Sequence, residues 1–426
     1  MQNTALASST GSVSGSRVKQ LIHSLGPGIM MATAAVGGSH LVASTKAGAI
    51  FGWQLAGLIL LVNFFKYPFF RAGVQYTMGT GKSLIQGYSE MGRGYLWLFT
   101  GLNLISGIVN TAALLLFSAS LLGYFLPFEL PLTTLAGVVM VACLAILFAG
   151  HYKALDALSK TIMVVLVIAT VSAVIVAASK GSVAPADFEA PSPWAIASIG
   201  FLVVMMGWMP APIEISCLTS LWLKSQRKEQ NVTVKSALFD FNVGYIGTAL
   251  LAIVFLALGA LVLNGNGAEL KTSGIGFSHQ LVGMYASTIG EWSRYLIAVI
   301  AFFCIFGSAI TVIDGYSRAL AEAHLLIQKK VLDQRRYHNG WMLIVGGCAM
   351  GILLFFTSAL MPMLDFAMIM AFMTTPIFAL VNYLLVTRAK LPEELSMSRS
   401  MKVLSWAGLT YLFGFLAIFI WWKWLM

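Results

Sequence analysis

Charge is scarce in this chain. Only 10% of its 426 residues are Asp, Glu, Lys or Arg, while 58% are hydrophobic; soluble domains carry about 25% charged residues. A water-soluble globule is therefore excluded. Cysteine is sparse too: Cys143, Cys217, Cys304 and Cys348 fall in apolar stretches without CxxC spacing. That pattern gives neither a disulfide framework nor a thiolate zinc site and reads as small buried side chains. Six histidines spread over tails, loops and one interrupted span argue against a multi-His metal site. No GxxxxGK[ST] loop is present, which excludes ATP-driven transport on this chain, and no HExxH or GxSxG motif marks an enzyme. No cofactor is expected. Residues 1–24 are rich in Ser, Thr and Gly and lack an apolar h-region. They are expected to form a disordered cytoplasmic tail rather than a cleaved signal.

What is abundant is long apolar sequence. A membrane span needs about 20 mostly apolar residues, and eleven such stretches are expected, at 25–48, 51–78, 94–125, 131–150, 156–178, 193–223, 236–263, 289–326, 340–360, 363–387 and 402–424. The formal net charge of +10 does not imply a nucleic-acid partner, because Lys and Arg sit in short loops between the spans. With the N-terminus inside, nineteen of them fall on inner loops and five on the outer side, namely Lys46, Lys180, Lys271, Arg294 and Lys423. The positive-inside rule then sets the orientation: N-terminus cytoplasmic, C-terminus outside, in a multi-pass protein of the cytoplasmic (inner) membrane. The outer segment 264–288 is expected to be a flexible cap.

Two spans carry helix breakers near their middles: AAVGGSHLVAS around Gly37–Gly38 and GWMPAPIEIS around Pro210–Pro212. A break at membrane depth frees N–H and C=O groups that lipid cannot satisfy, so it persists only where protein or a polar cavity receives them. Broken spans at corresponding places of two halves point to a transporter substrate site. Five spans precede the 180–192 loop, an odd number, so the next five insert upside-down. The expected organisation is all-α: a first five-helix repeat over 25–178, an inverted second repeat over 193–387, and an extra C-terminal helix over 402–424.

Several patches in this order resemble the Nramp family of proton-coupled divalent-metal transporters, which has the leucine-transporter-type 5+5 inverted-repeat fold. LGPGIMMATAAVGG at 25–38 is similar to the start of the family's first helix, KAGAIFGWQL at 46–55 to that helix's end, and GTGKSL at 79–84 to the loop after the second. GHYKALDAL at 150–158 resembles the motif at the start of the family's fifth helix, and WMPAPIEISCLTSLWLKSQR at 208–227 the Met-Pro-His region of its sixth. The departures fall on the chemistry. Where the family reads Asp-Pro-Gly-Asn, this chain reads Gly37, Gly38, Ser39, His40. The family's metal-binding Met is matched by Met209, but its two histidines fall on Ala211 and Ser216, and 102–118 carries no acid.

The candidate substrate site is therefore Gly37, Gly38, Ser39, His40, Met209 and Glu214. Glycines at an unwound turn let backbone approach a ligand, or they simply permit close helix packing. His40 can ligate a metal or shuttle a proton; the plain alternative is a hydrogen bond to a neighbouring helix. Met209 offers a soft thioether suited to transition metals, or it is packing. Glu214, in the first turn after Pro212, sits where a helix N-terminus favours a carboxylate. A charge within a span costs about 2.5–3.5 kcal/mol, so it faces a cavity or a partner. We read it as replacing the charge missing at Gly37, with pairing to Lys66 as the alternative. His40, Met209 and Glu214 form the candidate metal set, and His40, Glu214 and Asp314 the candidate ion-coupling set. Asp314 competes between that role and a salt bridge to Arg318 at i+4. Asp240 and Asp156 suit capping or gating, and Asp365 the interface.

The resemblance implies a secondary active transporter moving a divalent metal such as Mn²⁺ or Fe²⁺, coupled to protons, by alternating access at the broken spans. A Gly-Gly-Ser turn without an acid equally suits a small anionic or amino-acid-like solute. A non-transporting membrane sensor or scaffold is the third reading.

Overall fold

The computed structural model describes residues 26–150, 152–267, 271, 273–329, 333–355 and 360–426, the side chains of 152–160 excepted. The expected tail 1–24 and the Asp156 carboxylate lie outside the described residues. Every regular element among those described is helical. The first broken span comprises α1 (Pro27–Ala35), a π-helical turn (Ser39–Ser44) and α2 (Thr45–Phe51). Next come α3 (Ala56–Thr80), the short α4 (Leu84–Met91), α5 (Arg93–Gly123), α6 (Leu132–Phe148) and α7 (Tyr152–Lys180). The second broken span is α8 (Ile199–Gly207) with α9 (Ile215–Glu229). It is followed by α10 (Val234–Val262), α11 (Gly274–Ile289), α12 (Arg294–Gln328), α13 (Gln334–Phe355), α14 (Leu360–Arg388) and α15 (Arg399–Trp424). Eight of the described helices are long and apolar enough to cross a membrane.

Local chemistry sets the boundaries. Gly81 ends α3 in a left-handed conformation (φ 75°). Ser83 opens α4 with a reciprocal box: its hydroxyl accepts from the Gln86 N–H at 3.2 Å, and Gln86 Oε1 accepts from the Ser83 N–H at 3.1 Å. Among the long apolar helices, α5 and α12 are the most enclosed and pack along one another, whereas α7, α13 and α15 turn most of their surface outward. At 35 residues, α12 spans about 52 Å, well beyond a ~30 Å hydrocarbon core.

One helix, α10, holds the first broken span along its length. Near its start, the Asp240 carboxylate caps α1 by accepting from the N–H groups of Gly26 (3.0 Å), Gly28 (2.6 Å) and Ile29 (3.3 Å), which have no partner within their own helix. Just beyond its end, Asn264 Nδ2 donates to the Ala49 and Ile50 carbonyls at 3.0 and 3.3 Å, closing the end of α2. Between these points the backbones touch: a β-carbon at Gly48 would run into the Leu256 carbonyl, and one at Gly28 into that of Asp240. Only glycine permits that approach.

The flexible cap expected over 264–288 is corrected by α11. Phe277, Leu281, Met284 and Tyr285 recur at helical spacing and are buried. Ser120 of α5 bonds Ser278 (2.6 Å) and the Gly274 carbonyl (2.5 Å), and Thr170 of α7 bonds the Tyr285 hydroxyl (2.9 Å). On this same end of the molecule Lys46 forms an ion pair with Asp365 at 3.2 Å.

Candidate functional site

The first break occupies residues 36–38. α1 closes with the Gly37 N–H donating to the Ala35 carbonyl (3.0 Å), and the chain restarts with the His40 and Leu41 N–H groups both on the Gly37 carbonyl (3.2 and 2.9 Å). The widened turn that follows is supported by hydroxyls: Ser44 donates to the Ser39 carbonyl and Thr45 to that of His40, both at 3.3 Å. Gly38 lies against the Trp208 indole, and a β-carbon there would enter the ring.

His40 is fully buried and points away from the break, toward α10. Its Nε2 lies 2.9 Å from the Thr248 carbonyl, which can only accept, so this nitrogen carries the proton. Nδ1 lies 2.6 Å from the Ser39 hydroxyl and 3.2 Å from the Ala35 carbonyl, to which that hydroxyl donates. Both ring nitrogens are thus engaged by the protein.

The second break runs from Trp208 to Glu214. Proline at 210 and 212 cannot donate, and helical bonding resumes in tight turns, with Ile215 N–H on the Pro212 carbonyl (3.1 Å) and Ser216 N–H on that of Ile213 (2.9 Å). The cut end of α8 is met by a cation. Lys66 of α3, with no solvent exposure, donates from Nζ to the Met206 carbonyl at 2.7 Å and to Gly207 at 3.4 Å. A positive charge at a helix C-terminus compensates both the dipole and its loose carbonyls. Lys66 is therefore spent on backbone rather than on a direct ion pair with Glu214, although the two charges stay within Coulombic reach.

The Glu214 carboxylate does not cap its own helix. Its Oε1 accepts from the Tyr316 hydroxyl of α12 at 3.2 Å. Its Oε2 is buried without a hydrogen-bond partner, near a Ser106 hydroxyl that is likewise unmatched. Asn110 of α5 donates to the Tyr316 oxygen (3.3 Å) and accepts from Trp208 Nε1 at 2.8 Å. The donors run in one sense, from Trp208 through Asn110 and Tyr316 to Glu214, and end on an oxygen that accepts. Neither Asn110 nor Tyr316 was singled out from sequence. Asn110 carried a signal, a polar residue in a span without charge; Tyr316 carried none.

The two breaks meet. A cavity of about 30 Å³ is lined by Ala35, Gly38 and Ser39 of the first and by Trp208, Pro210 and Ala211 of the second. It is closed by Asn110 and Leu114 of α5 and by Val312 and Tyr316 of α12. It has room for a water or a bare ion, since one water needs roughly 10–15 Å³ of such space. Met209 is fully buried between two lining residues but does not line the cavity. Asp314 belongs elsewhere: its carboxylate is held by Arg318 Nη2 at 2.8 Å and lies 3.3 Å from His338 Nε2. Among the described residues, no group of three or more His, Cys, Asp or Glu side chains converges on a possible metal position.

Known proteins place this architecture. An uncharacterized protein of Pasteurella multocida (strain Pm70) is 50% identical over 399 residues, covering 93% of this chain and 91% of that one. A point mutant of the Eremococcus coleocola manganese transporter superposes with a TM-score of 0.69 at 14% identity, over 98% of this chain and 89% of that one. MhsT in complex with L-phenylalanine gives 0.61 at 15% identity, over 92% and 97%. At such identities the structural likeness is one of fold, the all-α leucine-transporter type. The family model for natural resistance-associated macrophage protein-like (Nramp) proteins matches residues 28–422, and with nearly the whole chain covered, this membrane protein belongs to that family of transporters and is not an enzyme.

Proposed function

We propose that the chain is a secondary transporter that carries a divalent metal ion of the Mn²⁺ or Fe²⁺ kind across the cytoplasmic membrane, with its substrate site at the cavity between the two breaks. The observation that carries this reading is the Glu214 carboxylate, fully buried, with one oxygen left unmatched and the other tied by Tyr316 to the cavity wall. An intramembrane carboxylate left partly open is a binding position by default, and buried polar atoms otherwise find partners. The cavity is ion-sized, and the Eremococcus coleocola manganese transporter shares the fold. In this reading carbonyls at the breaks hold the ion, Glu214 balances its charge from behind Tyr316, Met209 supplies a thioether from behind the wall, and His40 keeps the Ser39 turn in place on α10. Alternating access about the breaks, a proton taken up at Glu214 and a cytoplasmic N-terminus complete the proposal.

A specific feature favours a second reading, a small carboxylate as cargo. Among the described residues no acid lines the cavity, and a cation, Lys66, is built in at the cut end of α8. MhsT, with L-phenylalanine bound, has the same fold.

Uptake into proteoliposomes separates the two. The first reading expects saturable Mn²⁺ entry, faster with an inward proton gradient and lost in Glu214→Gln. Saturable entry of a small carboxylate with no Mn²⁺ response transfers the site to the second reading.

A further inference from the structure

Away from the breaks, at the end of the molecule that carries most of the Lys and Arg, three helices converge on a second cavity of about 360 Å³. α9 contributes Lys224 and Lys228, one turn apart. α12 contributes Arg318 and Glu322, also one turn apart, and α13 contributes Arg335 and His338 at i, i+3. Four permanent cations therefore face one concavity whose only acid among the described residues is Glu322. Part of that charge is already matched. Arg318 holds Asp314 at 2.8 Å behind the wall, and Lys224 reaches Glu322 at 3.2 Å and Gln86 at 3.0 Å. Lys228 and Arg335 are exposed, and among the described residues neither has a carboxylate at ion-pair distance.

A solvated basic face spreads its charges outward so that they avoid one another. Here the like charges come from three separate helices and point into one recess, where the field of a concave wall concentrates. The volume falls within the roughly 300–1,000 Å³ typical of small-molecule sites. Lys and Arg together, one a point charge and one a planar fork, are what a phosphate group accepts.

We propose that this cavity binds a phosphate-bearing anion, through Lys228 and Arg335 with support from Lys224 and Arg318, and thereby ties α9 to α12 and α13. The chemistry is shared by an anionic lipid headgroup and by free phosphate. Basic recesses between membrane helices take anionic headgroups in this way. α9 begins at the second break, so an anion clasped at its far end restrains the segment that must move for the cavity to open on that side.

Thermal unfolding of the purified full chain in detergent tests this, at constant ionic strength set with chloride. Dioleoylphosphatidylglycerol, dioleoylphosphatidylcholine and inorganic phosphate are titrated separately. The expected result is a saturable rise in Tm with phosphatidylglycerol or phosphate but not with phosphatidylcholine. Half-saturation should weaken by about tenfold or more in the Lys228→Gln/Arg335→Gln variant and stay unchanged in Arg399→Gln/Lys402→Gln. A response to phosphatidylglycerol alone assigns a lipid headgroup, and a response to both assigns any phosphate. No saturable rise with either, or an equal rise in the Lys228/Arg335 variant, overturns the proposal. The readout is independent of cargo, so it stands or falls separately from the transport reading.

Discussion

The first broken span parts over residues 36–38 and is repaired locally: glycine bends it, three hydroxyls brace the turn, and the ionisable side chain beside the parting, His40, is turned away onto α10. The second parts over residues 208–214 and is repaired from a distance. A lysine from α3 takes the carbonyls of the severed half, while Glu214, at the start of the next half, is addressed by a tyrosine from α12. Gly37 stands where the family reads Asp at the first break, and the buried Lys66 and Glu214 stand at the second. The lesson is that a discontinuous helix has two loose ends to satisfy, and they need not be satisfied by the same means.

Four substitutions break or sharpen that contrast. Lys66→Met should do most damage, leaving the Met206 carbonyl unmatched and Glu214 without its nearby cation. Leaving a buried charge uncompensated costs about 3–5 kcal/mol, read as a large fall in Tm in detergent. Adding Glu214→Gln to Lys66→Met should restore part of that loss, and strict additivity in the double-mutant cycle would show the two charges to be independent. Gly38→Val should follow at about 1–3 kcal/mol, because the new side chain collides with Trp208; its mark is a Tm fall together with a changed Trp fluorescence. The smallest effect is expected from His40→Gln. Its amide can still donate toward Thr248, so the loss should stay near ~1 kcal/mol with uptake largely kept. Loss of uptake in a stable His40→Gln protein would return His40 to the substrate site.

Much of this was legible in the sequence, because glycine, proline and runs of apolar residues act locally. The breaks at Gly37–Gly38 and Pro210–Pro212 and the Asp314–Arg318 option at i+4 all follow from short-range rules. The helix at Gly274–Ile289 was obscured by the Gly, Asn and Ser around it, although Phe277, Leu281, Met284 and Tyr285 keep helical spacing. The direction of the His40 ring was beyond reach, since it is set by a carbonyl 208 residues away. The same holds for Lys66 on Met206, 140 residues apart, and for Tyr316 on Glu214, 102 residues apart. Side-chain convergence across such distances leaves no periodic trace.

The three attachments of α10 to the first span, at Asp240, Thr248 and Asn264, have a mechanical consequence. A rod fastened to both pieces and to the joint between them acts as a splint. In the alternating access proposed above, the piece of the first span that moves would have to take α10 with it or slip a glycine seat. The flexing unit of that proposal would be the splinted pair, and stiffness in α10 would set how far a movement at one face of the membrane is felt at the other.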